Sequence, residues 1–146
     1  MKQIFKLILL IGICCAAVSC HTYSEEILLL GTPIELSQDQ VHFKEGGGEV
    51  TIYCLNYPVW HISQFQEWGR QEGEETIDYP VSYSGDGNHQ EVLGDGITLT
   101  VYNDDPSQTD GYASVRIIVD PCATHRSWKL RMRSGDTFTT IRISQN

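Results

Sequence analysis

Positive charge is what this 146-residue chain has least of: 10 Lys+Arg stand against 19 Asp+Glu, a formal net charge of −9. That balance excludes nucleic acid as an expected partner, because holding a phosphate backbone takes clustered cations. Helical hydrophobic period is almost absent, which excludes a helical bundle. The G-x-S-x-G elbow and the Walker loop are missing, and the five histidines have no recognisable partners, so the common nucleophile and nucleotide motifs are excluded. Long apolar runs are missing too. The longest, residues 7–18, falls short of the about 20 residues that a spanning helix needs. What is present is 40% hydrophobic residues with 10% aromatics and only 20% charge. That composition argues against disorder, and the length fits one domain.

The N-terminal segment is an address. Lys2 and Lys6 form a positive region ahead of the apolar stretch 7–18, as in a secretory signal. A buried helix is the competing reading, but it would set both lysines beside a run that is apolar on every side. Ala17-Val18-Ser19-Cys20 resembles a bacterial lipobox, in which small residues precede the lipid-bearing cysteine. The resemblance implies cleavage before Cys20 and a lipid on Cys20, with several acyl chains giving durable anchoring. His21 rather than Asp follows, which favours the outer membrane, and Ser24-Glu25-Glu26 is faintly similar to surface-export signals. The expected organisation is a signal peptide over 1–19, a lipidated cysteine and tether over 20–35, and a domain over 36–146.

Processing would remove two lysines and no acids, leaving 8 bases and 19 acids over 127 residues. The remaining charge is uneven. Residues 67–110 carry 11 acids and one base, Arg70, whereas 116–146 carry six bases and two acids, Asp120 and Asp136. Such separation along a chain predicts that the two segments face each other in one fold. Cys54 and Cys122 survive processing, and an oxidising compartment permits a disulfide between them. The alternative is that Cys54, in an alternating run, is a small core residue.

Alternation with period two dominates the rest. Val50, Ile52 and Cys54 share one face of 49–55, and the runs 97–102, 115–119, 128–133 and 138–143 alternate likewise. Further candidates are 27–30, 41–44, 59–63 and 76–83, whereas 64–73 reads as a polar loop or short helix. Gly/Asp-rich turns at 46–48, 85–88, 94–96, 104–106 and 134–136 separate these runs. Eight or nine short strands predict an all-β, immunoglobulin-like antiparallel β-sandwich.

Leu36-Ser37, Val41-His42-Phe43, Gly46-Gly47-Gly48, Val50-Thr51-Ile52, Asn56 and Trp60-His61-Ile62 together resemble the opening of a BACON domain. Asn103 after a strand, and Ile141-Arg142-Ile143-Ser144-Gln145 at the end, are similar to later features of that family. The resemblance covers about residues 36–145. It implies an immunoglobulin-like sandwich of bacterial surface proteins with suspected carbohydrate or mucin binding, and it carries no binding residues over. The long acidic segment 63–96 and the interruption at 121–127 depart from the family pattern. Cys54, Trp68 and Cys122 imitate the order of an antibody-type domain, but Asp120 stands where its corner tyrosine belongs.

Candidate chemistry is thin. Asp86-Gly87-Asn88 begins like a calcium loop, but Glu91 and Ile97 occupy the positions that need Gly and Glu. Asn103, Asp104, Asp105 and Asp110 could cradle a weak cation, and Cys122-x-x-His125 is half a zinc site without a second pair. No metal or cofactor is expected. Carboxylate pairs for glycoside hydrolysis are available among the acids, but a small sandwich rarely builds the cleft they need; no enzyme is expected. Aromatics remain. Trp60 and Trp128 alternate with polar neighbours and should be core, whereas Trp68 lies among polar residues and Tyr79 and Tyr83 share strand parity. Trp68, Tyr79 and Tyr83 are therefore the candidate platform for a sugar face. The expected function is a noncatalytic binding module for a glycan or partner protein on a lipid-anchored envelope protein. A structural accessory subunit without its own ligand is the alternative, and a small envelope hydrolase the third reading.

Overall fold

A computed structural model describes residues 31–68, 75–83, 89–103 and 113–146. Cys20 and its signal, the expected strand 27–30, and the calcium candidates Asp86, Asp104, Asp105 and Asp110 lie outside the described residues. Pro33–Asn146 forms one compact unit, an all-β sandwich. Among the described residues no helix is long and apolar enough to cross a membrane.

Among the described residues ten strands are present: β1 (Gln40–Phe43), β2 (Gly48–Tyr53), β3 (His61–Trp68), β4 (Ile77–Asp78), β5 (Ser82–Tyr83), β6 (His89–Gly94), β7 (Ile97–Tyr102), β8 (Ser114–Val119), β9 (Arg126–Ser134) and β10 (Thr137–Gln145). They form two five-stranded sheets, ordered β1-β10-β9-β3-β4 and β2-β8-β7-β6-β5. Among these described strands β1 on β10 is parallel and the other pairings are antiparallel. Every second residue of the long strands points inward, so Phe65, Leu130, Met132 and Ile141 of one sheet meet Ile52, Leu99, Val115 and Ile117 of the other. Each such side chain contributes about 1.5–3 kcal/mol of burial. Trp60 and Trp128 belong to this core, as the alternation predicts.

Three departures from the sequence reading have physical causes. The polar run after residue 63 is not a loop or helix; β3 continues through it to Trp68, because Phe65 and Glu67 point inward and Glu67 finds a cationic partner there. The run 76–83 is not one strand. Pro80 has no N–H to give a ladder, and the segment crosses from β4 in one sheet to β5 in the other. The missed strand β6 turns Gln90 inward beside Val92, which breaks the apolar alternation. Gln90 has a use there: its Oε1 accepts the Ile62 amide at 2.6 Å, at the bulge between Ile62 and Gln64.

The Cys54–Cys122 disulfide is corrected. Both are thiols, Cys54 fully buried. Tyr53 pairs with Ser114 and Gly48 with Val119, so the two cysteines lie beyond opposite ends of one ladder. At about 3.4 Å per residue that places them roughly 20 Å or more apart, far outside the about 7 Å that a bridge tolerates. Burial pushes the Cys54 thiol above its ordinary pKa.

Candidate functional site

The outer face of the first sheet carries the exposed chemistry. Core-facing Trp128, Leu130 and Met132 alternate with outward Ser127, Lys129, Arg131 and Arg133 on β9, and Arg142 and Ser144 stand outward on β10. Register aligns these side chains in rows. One row runs His42, Ser144, Ser127, Trp68, and the next Gln40, Arg142, Lys129, Gln66. Two serines between a histidine and a tryptophan leave a trough, because the walls are tall and the floor is short. At about 4.8 Å per strand spacing the walls stand about 14 Å apart. The trough has a volume of about 380 Å³ and is lined by Trp68, His42, Ser127, Ser144, Lys129 and Arg142 among others.

Its polar groups are held in place. Ser144 Oγ donates to the Val41 carbonyl at 3.5 Å and meets His42 Nδ1 at 3.1 Å. Ser127 Oγ lies 3.1 Å from His125 Nε2, and His125 Nδ1 meets the Asn146 side-chain oxygen. With Nδ1 donating to that oxygen, Nε2 accepts the Ser127 hydroxyl. The order serine, histidine, orienting amide is that of a nucleophile relay. However, Ser127 sits on a strand paired on both sides, with Trp68 and Ser144. The backbone amides around Ser127 on β9 are committed to these two ladders, and the His125–Asn146 contacts orient its hydroxyl.

Trp68 owes its position to the residue before it. Glu67 is buried, and Arg126 takes it in a bidentate clasp, Nε to Oε1 and Nη2 to Oε2, both at 2.8 Å. Tyr79 donates its hydroxyl to Glu67 Oε2 at 2.7 Å, and Asp95 reaches Arg126 at 3.3 Å. The Arg126 guanidinium also lies 4.9 Å from the Trp128 ring centre. The hydrogen bond to Glu67 raises the Arg126 pKa against the opposing effect of burial. Burial, followed by the Glu67 carboxylate, pushes the Tyr79 phenol above its ordinary value. Gly96 completes the pocket: its φ is +66°, and a Cβ there would come within 2.8 Å of Arg126 Nη1. With Glu67 turned in, strand parity turns Trp68 out.

The three platform candidates therefore part company. Trp68 is 51% exposed at the trough. Tyr79 packs on Phe65 at 5.5 Å between ring centres and serves the Glu67–Arg126 cluster, not the surface. Tyr83 is 66% exposed on β5 in a second hollow with His61 and Arg133. Trp68 pairs with Ser127 and His61 with Arg133, so Trp68 and Tyr83 mark opposite ends of β9, about 20 Å apart at 3.4 Å per residue. The shared face expected for Tyr79 and Tyr83 is not formed, because Pro80 lies between two sheets.

The expected facing of acidic and basic segments holds at Arg126 with Glu67 and Asp95. Among the described residues it does not extend to Lys129, Arg131, Arg133 and Arg142. These stand on the outer face, where no ion pair with a described carboxylate forms. Arg116 pairs instead with Glu49, on the other sheet. Sequence reasoning passed over the trough serines, Lys129 and Arg142; their outward parity on β9 and β10 was the available signal. Of the metal candidates within the described residues, Asn103 Oδ1 accepts the Trp60 amide and Cys122 Sγ meets Thr124 Oγ1, and no group of three candidate ligands occurs among the described residues.

No protein-family model matches the sequence, and no curated protein matches it. A solved structure described as the NMR structure of the protein from Bacteroides thetaiotaomicron is similar to this chain. The TM-score is 0.54 at 17% identity, over 80% of this chain and 88% of that chain. At that identity the likeness is one of fold.

Proposed function

We propose that this chain is a noncatalytic binding module on a lipid-anchored envelope protein, and that it holds a glycan in the trough on the outer face of the first sheet. Cys20 would carry the lipid and place the module beside the outer membrane, and an immunoglobulin-like, BACON-related origin agrees with this role. The observation that carries the reading is Trp68, half exposed at the wall of a trough floored by Ser127 and Ser144. A flat indole at the wall offers a stacking surface for a sugar ring, and positioned hydroxyls and cations on the floor meet sugar hydroxyls. Tyr83 offers a second stacking ring at the far end of β9.

A glycan array probed with the purified chain tests this. Binding that Trp68→Ala reduces at least tenfold, with an unchanged thermal midpoint, supports the trough. The absence of any glycan binding by the parent refutes it and favours the accessory-subunit reading. Cys20→Ala should release the chain from the membrane fraction; equal retention refutes the lipid anchor.

A further inference from the structure

We infer that the ligand of this face is an acidic glycan, a linear chain bearing carboxylate or sulfate groups and laid along β9 from Trp68 toward Tyr83. The inference rests on the glycan reading above and adds the charge and the direction of the ligand. Lys129, Arg131 and Arg133 recur at every second residue of one strand, so their spacing is about 7 Å and their span about 14 Å. Arg142 stands directly opposite Lys129, an arrangement of like charges that costs folding free energy rather than contributing it. Arg131 is further fixed in the row by stacking over Phe138 at 4.3 Å.

Among the described residues, acids are sparse on this face. Of 19 carboxylates, the only one in outward register on the described strands of this face is Asp78, on the edge strand β4, where Gln64 binds it. A protein of net charge −9 thus carries a local cationic row on this face, and on this row an anionic ligand gains Coulomb energy. The shape argues for a chain rather than a flat lipid surface. The row begins in a trough floored by Ser127 and Ser144 and ends in the hollow of Tyr83 and Arg133, so the stacking rings are walls at its two ends.

Polygalacturonate and its fully methyl-esterified form share a backbone and differ in the carboxylate, and they serve as probes beside chondroitin sulfate and its desulfated form. Affinities are read by titration calorimetry on the full chain. The anionic member of each pair should bind at least tenfold tighter. Its affinity should fall at least fivefold between 50 and 300 mM NaCl, about the effect of shortening the screening length from roughly 14 to 6 Å. Lys129→Gln with Arg142→Gln should weaken anionic binding tenfold or more and neutral binding by a much smaller factor, so that the preference for the anionic member is lost. Arg116→Gln, on the other sheet, should change neither. Equal binding of charged and neutral members, with Trp68 still required, overturns the acidic assignment and leaves the trough. No binding by any glycan overturns both. Tighter binding to anionic lipid vesicles or to single-stranded DNA than to either acidic polymer also overturns it, because the face would then be a general polyanion surface.

Discussion

Replacing Glu67 by Gln should destabilise the sandwich severely, although the change removes one charge and almost no volume. Glu67 and Arg126 side chains are each 4% exposed, so water cannot take over the role of the missing partner. The Arg126 guanidinium would retain its hydrogen bonds to an amide oxygen in part, but its charge would face only Asp95, whose side chain is 75% exposed and therefore screened. Removing one partner of a buried pair costs about 3–5 kcal/mol. Against the about 5–15 kcal/mol of a whole domain that is a large fraction, and it corresponds to a fall in the thermal midpoint of roughly 10–20 °C. Urea unfolding followed by tryptophan fluorescence measures it. The double variant Glu67→Leu with Arg126→Met should recover most of the loss, because apolar replacement of a complete buried pair is neutral or stabilising. It should fall short by about 1 kcal/mol, since the Tyr79 hydroxyl loses its acceptor. A cost below about 1 kcal/mol for Glu67→Gln, or a double variant as unstable as the sum of the singles, would refute the reasoning.

Other outcomes follow from the same structure. Gly96→Ala, which adds a Cβ 2.8 Å from Arg126 Nη1 at φ +66°, should cost about 2 kcal/mol or more in urea unfolding. Gly135→Ala, at φ +55° with open space around it, should cost about 1 kcal/mol; equal costs would show that the Arg126 contact does not matter. In an alkaline absorbance titration Tyr79 should contribute a phenol that ionises above its ordinary value, because burial and Glu67 raise its pKa. A raised pKa means that its contribution to stability is complete below pH 10 and is lost as pH climbs through the folded value. Tyr79→Phe should therefore remove a late-titrating phenol; loss of an early one contradicts the assignment. Alkylation mapped by mass spectrometry should find Cys54 protected until urea unfolds the chain, and a Cys54–Cys122 cross-linked peptide would contradict the ladder geometry.

The strands with apolar residues at every second position, β2, β7, β8, β9 and β10, were legible because burial on one face writes itself into the sequence. What escaped was written in polar residues facing inward. Glu67 hid the second half of β3, and Gln90 hid β6; each is buried only because a partner from the other sheet or a distant strand satisfies it, Arg126 for one and the Ile62 amide for the other. Such pairings join residues far apart in sequence, and no local pattern announces them. Trp68 was legible as an exposed aromatic, since nothing apolar alternates around it. Its trough was not. The partners Ser127, Ser144 and His42 come from three other strands, and only the strand order places them in one row. The same holds for the cations: the chain shows a basic end, but the sheet decides that four of those bases share one surface.

The central claim is that this outer face, and no other surface, is where the ligand sits. Backbone amide shifts of the isotope-labelled chain, followed as an acidic oligosaccharide is titrated in, test it most directly. The account predicts that the shifts concentrate on residues 127–133 of β9, on Arg142 and Ser144, and on Trp68, with the Trp68 indole among the largest. Shifts concentrated on β2, β8 and β7 of the opposite sheet, with Trp68 and Lys129 unmoved, would contradict it.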